Sequence, residues 1–341
     1  MSLGKYLAPL NSVALFDPGI ATRNAGDEII AEAALAEVAR LFPTAFVARV
    51  PTHERLGPRS WRLAHQAHTR IVAGSNILGP RMVFDRQWRI RPWDMVAVRG
   101  LRLLAAGWRG DDEARYPLSD RMLRGLLTRD GLHSVRDGQT LRCLADRGIR
   151  NVVNTGCVTM WRLDTDRLAA LPVTLAPSAV TTINAGRRHP ADDAVLDMLL
   201  ARYRLVWLWP QGIDDLPLAQ DLALRHPRLR LVGPTLSAYD ALLRGEQVDF
   251  VGNRLHGGIR ALQHGRRALI LGVDNRAREI ARDTGLPVQE IAQGADALAA
   301  RLDAPQPIQI TLPRAGIARW RAQFAEDQGL VPAGTGSPVS G

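Results

Sequence analysis

The chain has 341 residues, 46% of them hydrophobic and 23% charged, which excludes a disordered or fibrous protein. Its net charge of +10 is carried by arginine, with Lys5 the only lysine; the arginines are scattered and not interleaved with aromatics, so no nucleic-acid partner is expected. Two cysteines, Cys143 and Cys157, cannot build a disulfide framework, and no metal-type Cys/His spacing surrounds them, so no metal is expected.

The arginine and alanine bias is what a GC-rich coding sequence produces and points to a bacterial source. The first residues, MSLGKYLAPLNSVALF, lack a signal-peptide pattern, and no apolar run approaches the roughly 20 residues that span a bilayer. A cytoplasmic protein is expected.

Short apolar runs alternate with amphipathic stretches, as in β-α units built around parallel sheets. SVALF (12–16) predicts a first strand and DEIIAEAALAEVARLF (27–42) a helix with apolar positions at helical spacing. AFVARV, RIVAGSN, LRLLAAGW, LHSVRD and RNVVNTG predict further strands up to residue 156. PLSDRMLRGLLTR and GQTLRCLADRG predict helices between them, the second ending on Gly148. Residues 161–178 carry two prolines and no clear strand, which marks a boundary.

The alternation then restarts. VTTINAG, LVWLWP, LRLVGP, DFVGN, RALILGV and LPVQEI predict strands, with helices near 191–203, 237–244, from 255 and near 275–284. The expected organisation is α/β: two Rossmann-like, doubly wound domains facing a central cleft. Residues 1–170 form the N-terminal domain, 171–330 the C-terminal domain, and 331–341 a mobile tail. The helix-like GIARWRAQFAEDQ is expected to pack back across the first domain. Ligands in such folds bind at the carboxyl ends of the strands.

The segment GNRLHGG (252–258) lies where a strand hands over to a helix. Asn253 is expected at the N-cap, with Arg254 and His256 in the first turn. Free N–H groups and the helix dipole attract anions there, so cations at this point are unfavourable until an anion arrives. Gly257 and Gly258 remove side chains and let a ligand or another backbone approach.

The loop DPGIATRNAGDEII (17–30) follows the first strand. Asn24 and Asp27 make a tight turn with Asp27 as an acidic cap, and either a structural or a ligand-binding role accounts for them. It is not a dinucleotide fingerprint, since G-x-G-x-x-G is absent. In LHSVRDGQT (132–140), Asp137 can cap the next helix, which leaves Arg136 at the cleft mouth to grip a carboxylate. In VAGSNILGP (72–80), Gly74 and Ser75 can offer backbone donors. Cys157, without a nearby base, reads as a packed cysteine. In WPQGIDD, Gln211 or Asp214 can meet sugar hydroxyls, while Trp207 and Trp209 read as core.

Taken in order, NAGD, AGSN, SVRD, GNRLHGGIRALQHG and DNRAREI resemble the polysaccharide pyruvyl transferase family from about residue 12 to about residue 290. RLHG is the most specific of these segments. The family's usual glycine triplet reads Gly74-Ser75-Asn76 here, and NTGCVTMW stands where many members carry Asp-Pro.

The resemblance implies a glycosyltransferase-B-like fold and phosphoenolpyruvate as donor substrate, with no separate cofactor. The product is a pyruvate ketal on a sugar of an exopolysaccharide, capsule or cell-wall glycan. It assigns donor binding and catalysis to Arg254, Leu255 and His256, with Asn253 and Gly257 beside them and Arg136 as a further donor contact. The acceptor is a sugar or a lipid-linked oligosaccharide, and peripheral attachment to the inner face of the membrane fits the latter. A protonated His256 is expected to supply a proton to the methylene carbon or to the leaving phosphate. The alternatives are a nucleotide-sugar glycosyltransferase of the same architecture and a non-catalytic polyanion binder.

Overall fold

The structure, a computed structural model, describes residues 12–84, 87–304 and 307–325. The expected tail at 331–341 lies outside the described residues. The first half runs β1 (Ser12–Asp17), α1 (Ala25–Leu41), β2 (Phe46–Pro51), α2 (Pro58–Gln66), β3 (Thr69–Ala73), α3 (Met95–Val98), β4 (Arg102–Leu104), α4 (Pro117–Leu126), β5 (His133–Val135), α5 (Gly138–Asp146) and β6 (Val152–Asn154). After α6 (Thr165–Ala169), the second half runs β7 (Ser178–Thr181), α7 (Asp192–Arg202), β8 (Leu205–Leu208), α8 (Leu216–Arg225), β9 (Leu229–Leu231), α9 (Leu236–Gly245), β10 (Val248–Gly252), α10 (Leu255–Gln263), β11 (Ala268–Gly272), α11 (Asn275–Thr284), β12 (Val288–Glu290), α12 (Ala295–Asp303) and α13 (Arg314–Ala322).

Both sheets are parallel, and their central strands β1, β7, β10 and β11 are buried along their whole length. That is why they read as unbroken apolar runs rather than alternating ones. The first sheet has the order β2-β1-β3-β4. It continues into the β5-β6 pair through one bridge, Ala106 to Val135, beside a kink at Ala105 with φ 52°. The Ser134 hydroxyl accepts from Ala105 N at 2.8 Å and so replaces a missing rung.

The second sheet has the order β12-β11-β10-β7-β8-β9. The chain leaves β7 in one direction and returns on its other side as β10, so the strand order reverses between these two. Open α/β sheets bind ligands at the carboxyl ends of such strands. Two Rossmann-like sheets facing a cleft make the architecture glycosyltransferase-B-like.

The halves are tied together at the cleft floor. Ala25 N donates to Gln211 O at 2.9 Å and Ile213 N to Arg23 O at 2.9 Å, joining the loops after β1 and β8. Ala25 and Ile29 share an apolar cluster with Trp209, Phe250 and Leu255 of the second half. From the other end, α13 returns to the first half. Trp320 and Phe324 pack there with Val13, Leu15 and Ile30, and Gln323 accepts from Leu132 N at 2.8 Å. Among the described residues, no helix is long and apolar enough to cross a membrane.

Candidate active site

The strand β10 ends at Gly252, and Arg254, not Asn253, takes the N-cap position of α10. The expected cap therefore shifts by one residue. Arg254 N donates instead to Thr182 Oγ1 from the end of β7, at 3.2 Å, which pins the helix start to the strand-order reversal. The Asn253 side chain, freed from capping, is buried with both polar atoms unpartnered.

Arg254 points into the cleft and pairs with Asp215, whose position is set by Gly212 N at 3.0 Å and Ala185 N at 2.9 Å. His256 lies one helical step further and is 7% exposed. Burial, then the Arg136 and Arg276 guanidiniums, push its pKa down to about 3, against a smaller opposing pull from Asp27. Without a ligand His256 is held in its neutral form, so the protonated imidazole expected beside the bound donor requires the donor's charge. Cys157 also departs from expectation, since its Sγ lies 3.7 Å from His256 Nε2 and so does have a base beside it. Burial pushes the Cys157 thiol up, keeping it un-ionised.

Arg136 is not free at the cleft mouth. It is 2% exposed, forms an ion pair with Asp137 at 3.1 Å and donates to Asn76. The sequence hides this because the contact with Asn76 spans two strands. Asp137 caps α5 as its spacing predicts, accepting from Thr140 N at 2.7 Å.

Three other expectations are corrected by packing. Leu255 sits in the second core, 6% exposed, rather than against the cleft. A Cβ on Gly258 would lie 2.5 Å from Ile270 Cγ1 and one on Gly257 3.1 Å from Phe250 Cε2, so these glycines let α10 press onto its own sheet. A Cβ on Gly74 would stand 2.0 Å from the Ala105 carbonyl, so Gly74 accommodates the kinked end of β4, not a ligand.

Across the cleft, Asn24 rather than Asp27 caps α1, accepting from Gly26 N at 3.1 Å and from Gln211 Nε2 at 2.8 Å. Asp27 is left to face inward, where it accepts from Thr22 Oγ1 at 2.8 Å and from Ser75 Oγ at 3.3 Å. His53 Nε2 approaches the same carboxylate at 3.7 Å. His53 Nδ1 donates to the Gln87 carbonyl at 2.8 Å, which leaves Nε2 as the nitrogen that exchanges protons. Burial lowers the His53 pKa, but Asp27 and the Gln87 carbonyl outweigh it and the net shift is upward.

The cleft has two chemically distinct halves. One, of roughly 660 Å³, is lined by Arg81, Arg109, Arg187, Arg276 and Arg278 against Asp111, Asp112 and Asp274. The other, of roughly 550 Å³, is lined by Asp27, Glu54, Asp214 and Asp215 against Arg23, Arg89, Arg254 and His53. Besides Asn253, the buried atoms Gln211 Oε1, Arg254 Nε and His53 Nε2 also lack a hydrogen-bond partner in the protein. Buried polar atoms are seldom left so, and two of these residues, His53 and Arg254, line the carboxylate-rich half. Arg276, although within the DNRAREI segment, and His53 were not expected as site residues. Among the described residues, no group of three or more His, Cys, Asp or Glu is placed to hold a metal ion.

Comparison with known structures finds distant likenesses of shape. A variant of the wall teichoic acid polymerase TagF is 10% identical, over 95% of this chain and 84% of that one, with a TM-score of 0.42. The UDP-GlcNAc 2-epimerase from Neisseria meningitidis, bound to UDP-GlcNAc, is 13% identical over 92% and 98%, with a TM-score of 0.46. The UDP-N-acetylglucosamine 2-epimerase of Rickettsia bellii is 11% identical over 92% and 93%, also at 0.46. No curated protein matches significantly. The family model for polysaccharide pyruvyl transferases matches residues 24–275, from the Asn24 cap to the start of α11. That match takes in both faces of the cleft floor, and the chain belongs to the polysaccharide pyruvyl transferase family, whose members are transferases.

Proposed function

We propose that the protein transfers pyruvate from phosphoenolpyruvate to two hydroxyls of a glycan sugar, forming a ketal and releasing phosphate. The observation that carries this reading is the setting of His256. It is buried at the start of α10, 3.7 Å from Cys157 Sγ, and feels the charges of Arg136, Arg276 and Asp27. The arginine-lined half suits a donor with a carboxylate and a phosphate. The carboxylate-rich half suits a neutral sugar, whose hydroxyls donate to Asp27, Asp214 and Asp215.

The donor's negative charge offsets the two guanidiniums and raises the His256 pKa, so the imidazole takes up a proton as the donor binds. His256 then gives that proton to the methylene carbon while the first sugar hydroxyl attacks the central carbon. The Asp27–His53 pair receives the hydroxyl proton. The second hydroxyl displaces phosphate, and its proton leaves with the phosphate. Two hydroxyl protons are lost; one is accounted for by the new methyl group and one by hydrogen phosphate.

The proposed setting is the cytoplasm, at the inner face of the membrane if the acceptor is lipid-linked. A nucleotide-sugar donor is the second reading, because an arginine-lined pocket beside the strand-order reversal also suits a diphosphate. Thermal shift separates the two. Stabilisation by phosphoenolpyruvate and not by UDP or GDP supports pyruvyl transfer, and the opposite pattern overturns it. A polyanion binder needs none of the buried polar atoms described above.

A further inference from the structure

The arginine-lined half of the cleft already holds an anion of its own. Asp274 stands at the N-cap of α11, and its two carboxylate oxygens have separate tasks. Oδ1 accepts from Arg276 N at 3.1 Å and so caps the helix. Oδ2 accepts from Arg276 Nε at 2.8 Å, from Arg276 Nη2 at 2.5 Å and from Arg187 Nη1 at 3.3 Å. The cap needs only the first oxygen. The second binds two guanidiniums.

Topology gives that second oxygen its reach. Arg187 closes the Ala185–Arg187 turn after β7, and Asp274 follows β11. In the sheet these strands stand on either side of β10, the strand that leads to Arg254 and His256. The Arg187–Asp274 contact therefore joins the two loops that flank the start of α10. Arg187, Asp274 and Arg276 all line the same pocket.

Burial opposes the charge of Asp274, but Arg276, then Arg187 and Arg136, outweigh it and hold the carboxyl below its ordinary pKa. Its side chain is 17% exposed, against 31% for Arg276 and 62% for Arg187. The guanidiniums are thus reachable from the pocket, and the carboxylate is the more covered partner.

An anion entering this half must take those guanidiniums from a carboxylate that the chain itself holds beside them. A tethered ligand acts at high effective concentration, whereas a free one loses translational and rotational freedom on binding. Every such anion is therefore weakened by one common factor. A ligand with a single anionic group falls out of the pocket. One with two groups on a small frame stays, because its second group meets a further arginine such as Arg278.

We infer that Asp274 is a resident counter-ion of this pocket, exchanged by Arg187 and Arg276 for the incoming anion and returning to them as an anion leaves. It sets the threshold that admits doubly anionic ligands and speeds the departure of singly anionic ones. No covalent bond changes, and Oδ1 keeps the cap throughout. The exchange holds for any anionic ligand. Naming phosphoenolpyruvate as the ligand admitted and phosphate as the one released rests on the pyruvyl-transfer reading.

Asp274→Asn separates the two tasks, since the amide keeps an oxygen for the cap and puts a nitrogen, which cannot accept, in place of Oδ2. Calorimetric titration of the full chain with inorganic phosphate, pyruvate and phosphoenolpyruvate should give Kd values lower in the variant by a common factor of about ten, as when a competent state is scarce in the free protein. In turnover the KM for phosphoenolpyruvate should fall without a rise in kcat, and inhibition by phosphate should strengthen by the same factor. A capping role alone moves none of these. Asp274→Ser, which also caps without charge, gives the same readout should the first variant fail to fold. Phosphate binding that is unchanged or weaker in the variants, or absent from them, overturns the proposal. Tightening of phosphate while UDP and not phosphoenolpyruvate binds would leave the counter-ion standing and sink the donor reading; phosphoenolpyruvate bound equally by wild type and variants would do the reverse.

Discussion

The Sγ of Cys157 and the Nε2 of His256, 99 residues apart in sequence, stand 3.7 Å from each other in the buried floor of the cleft. Cysteine beside histidine often means a thiolate nucleophile, but here both groups are held neutral. Burial raises the thiol, and burial with Arg136 and Arg276 drops the imidazole pKa to about 3. The thiol also contacts Thr159 Oγ1 at 3.1 Å. Cys157→Ser should therefore keep phosphoenolpyruvate-dependent phosphate release within about three-fold of wild type, and iodoacetamide should react slowly with the free protein. A loss beyond about 100-fold with donor binding intact would make Cys157 a nucleophile.

The depressed His256 pKa has a stability consequence with a definite sign. Above pH 6.5 the residue is neutral in both folded and unfolded chains. Between about 6.5 and 3 the unfolded chain binds a proton that the folded one refuses, so stability falls as pH falls. The slope approaches about 1.4 kcal/mol per pH unit for a fully shifted group. His133, lowered to about 4 by burial, adds a similar dependence, so the comparison with His256→Gln isolates the His256 share. Melting curves from pH 7 to pH 4 should show a shallower decline in that variant. If donor binding protonates His256, calorimetry in buffers of different ionisation enthalpy should record proton uptake that the variant lacks. Turnover should drop about 10²–10⁴-fold in His256→Ala while donor binding stays measurable.

Arg254, 16% exposed, and Asp215, 3% exposed, form a largely buried pair between the segments that follow β10 and β8, on the wall of the carboxylate-rich half. Removing the arginine leaves Asp215 uncompensated, so Arg254→Ala should lower stability by about 3 kcal/mol as well as weaken binding of the acceptor sugar. Arg254→Ala/Asp215→Ala should recover most of the stability and none of the affinity. Recovery of both, measured by chemical denaturation and acceptor titration, would show that the arginine is structural only.

The Asp27–His53 pair is expected to act on the acceptor, not the donor. His53→Gln should lower turnover by about 100-fold without changing phosphoenolpyruvate affinity. A general base works only when unprotonated. The net upward shift of His53 therefore places the rising limb of the pH–rate profile above the ordinary 6.5, and that limb should vanish in the variant. For stability the sign is opposite to that of His256: the His53 contribution is complete below pH 6.5 and is lost as pH rises through its raised value. Asp27 from α1, which raises this value, and Arg89 on the same pocket wall, which lowers it, are the charged neighbours that act on His53. A donor-affinity defect in His53→Gln would sink this assignment.

The strands were legible because their buried apolar runs end on glycine, proline or asparagine. Each of the twelve described strands overlaps a stretch that the pattern marks, although β7 starts at Ser178, two residues before the stretch read for it and inside the segment read as a boundary. The helix α2 was missed because Ala64 is its only buried residue, so PRSWRLAHQ shows almost no apolar face to read. In the site, Arg254 and His256 stood out because cations at a helix start oppose the dipole. Arg276 and His53 did not, since each does an ordinary local job: Arg276 pairs with Asp274 at 2.5 Å, and His53 bonds a loop carbonyl. Their importance comes from the strand order that carries their loops to the same floor. Leu255, Gly257 and Gly74 were over-read because a glycine or leucine beside a ligand and one beside a packed backbone look alike in one dimension.

The pair of backbone bonds joining Ala25 to Gln211 and Ile213 to Arg23 places the loops beneath the acceptor pocket in one continuous piece of main chain pairing. Rotation of one half against the other must therefore pivot about that seam, where displacement is least. Asn24 and Gln211 at the seam are bonded directly to each other, at 2.8 Å, whereas Arg81 and Arg109 stand on the other half of the cleft.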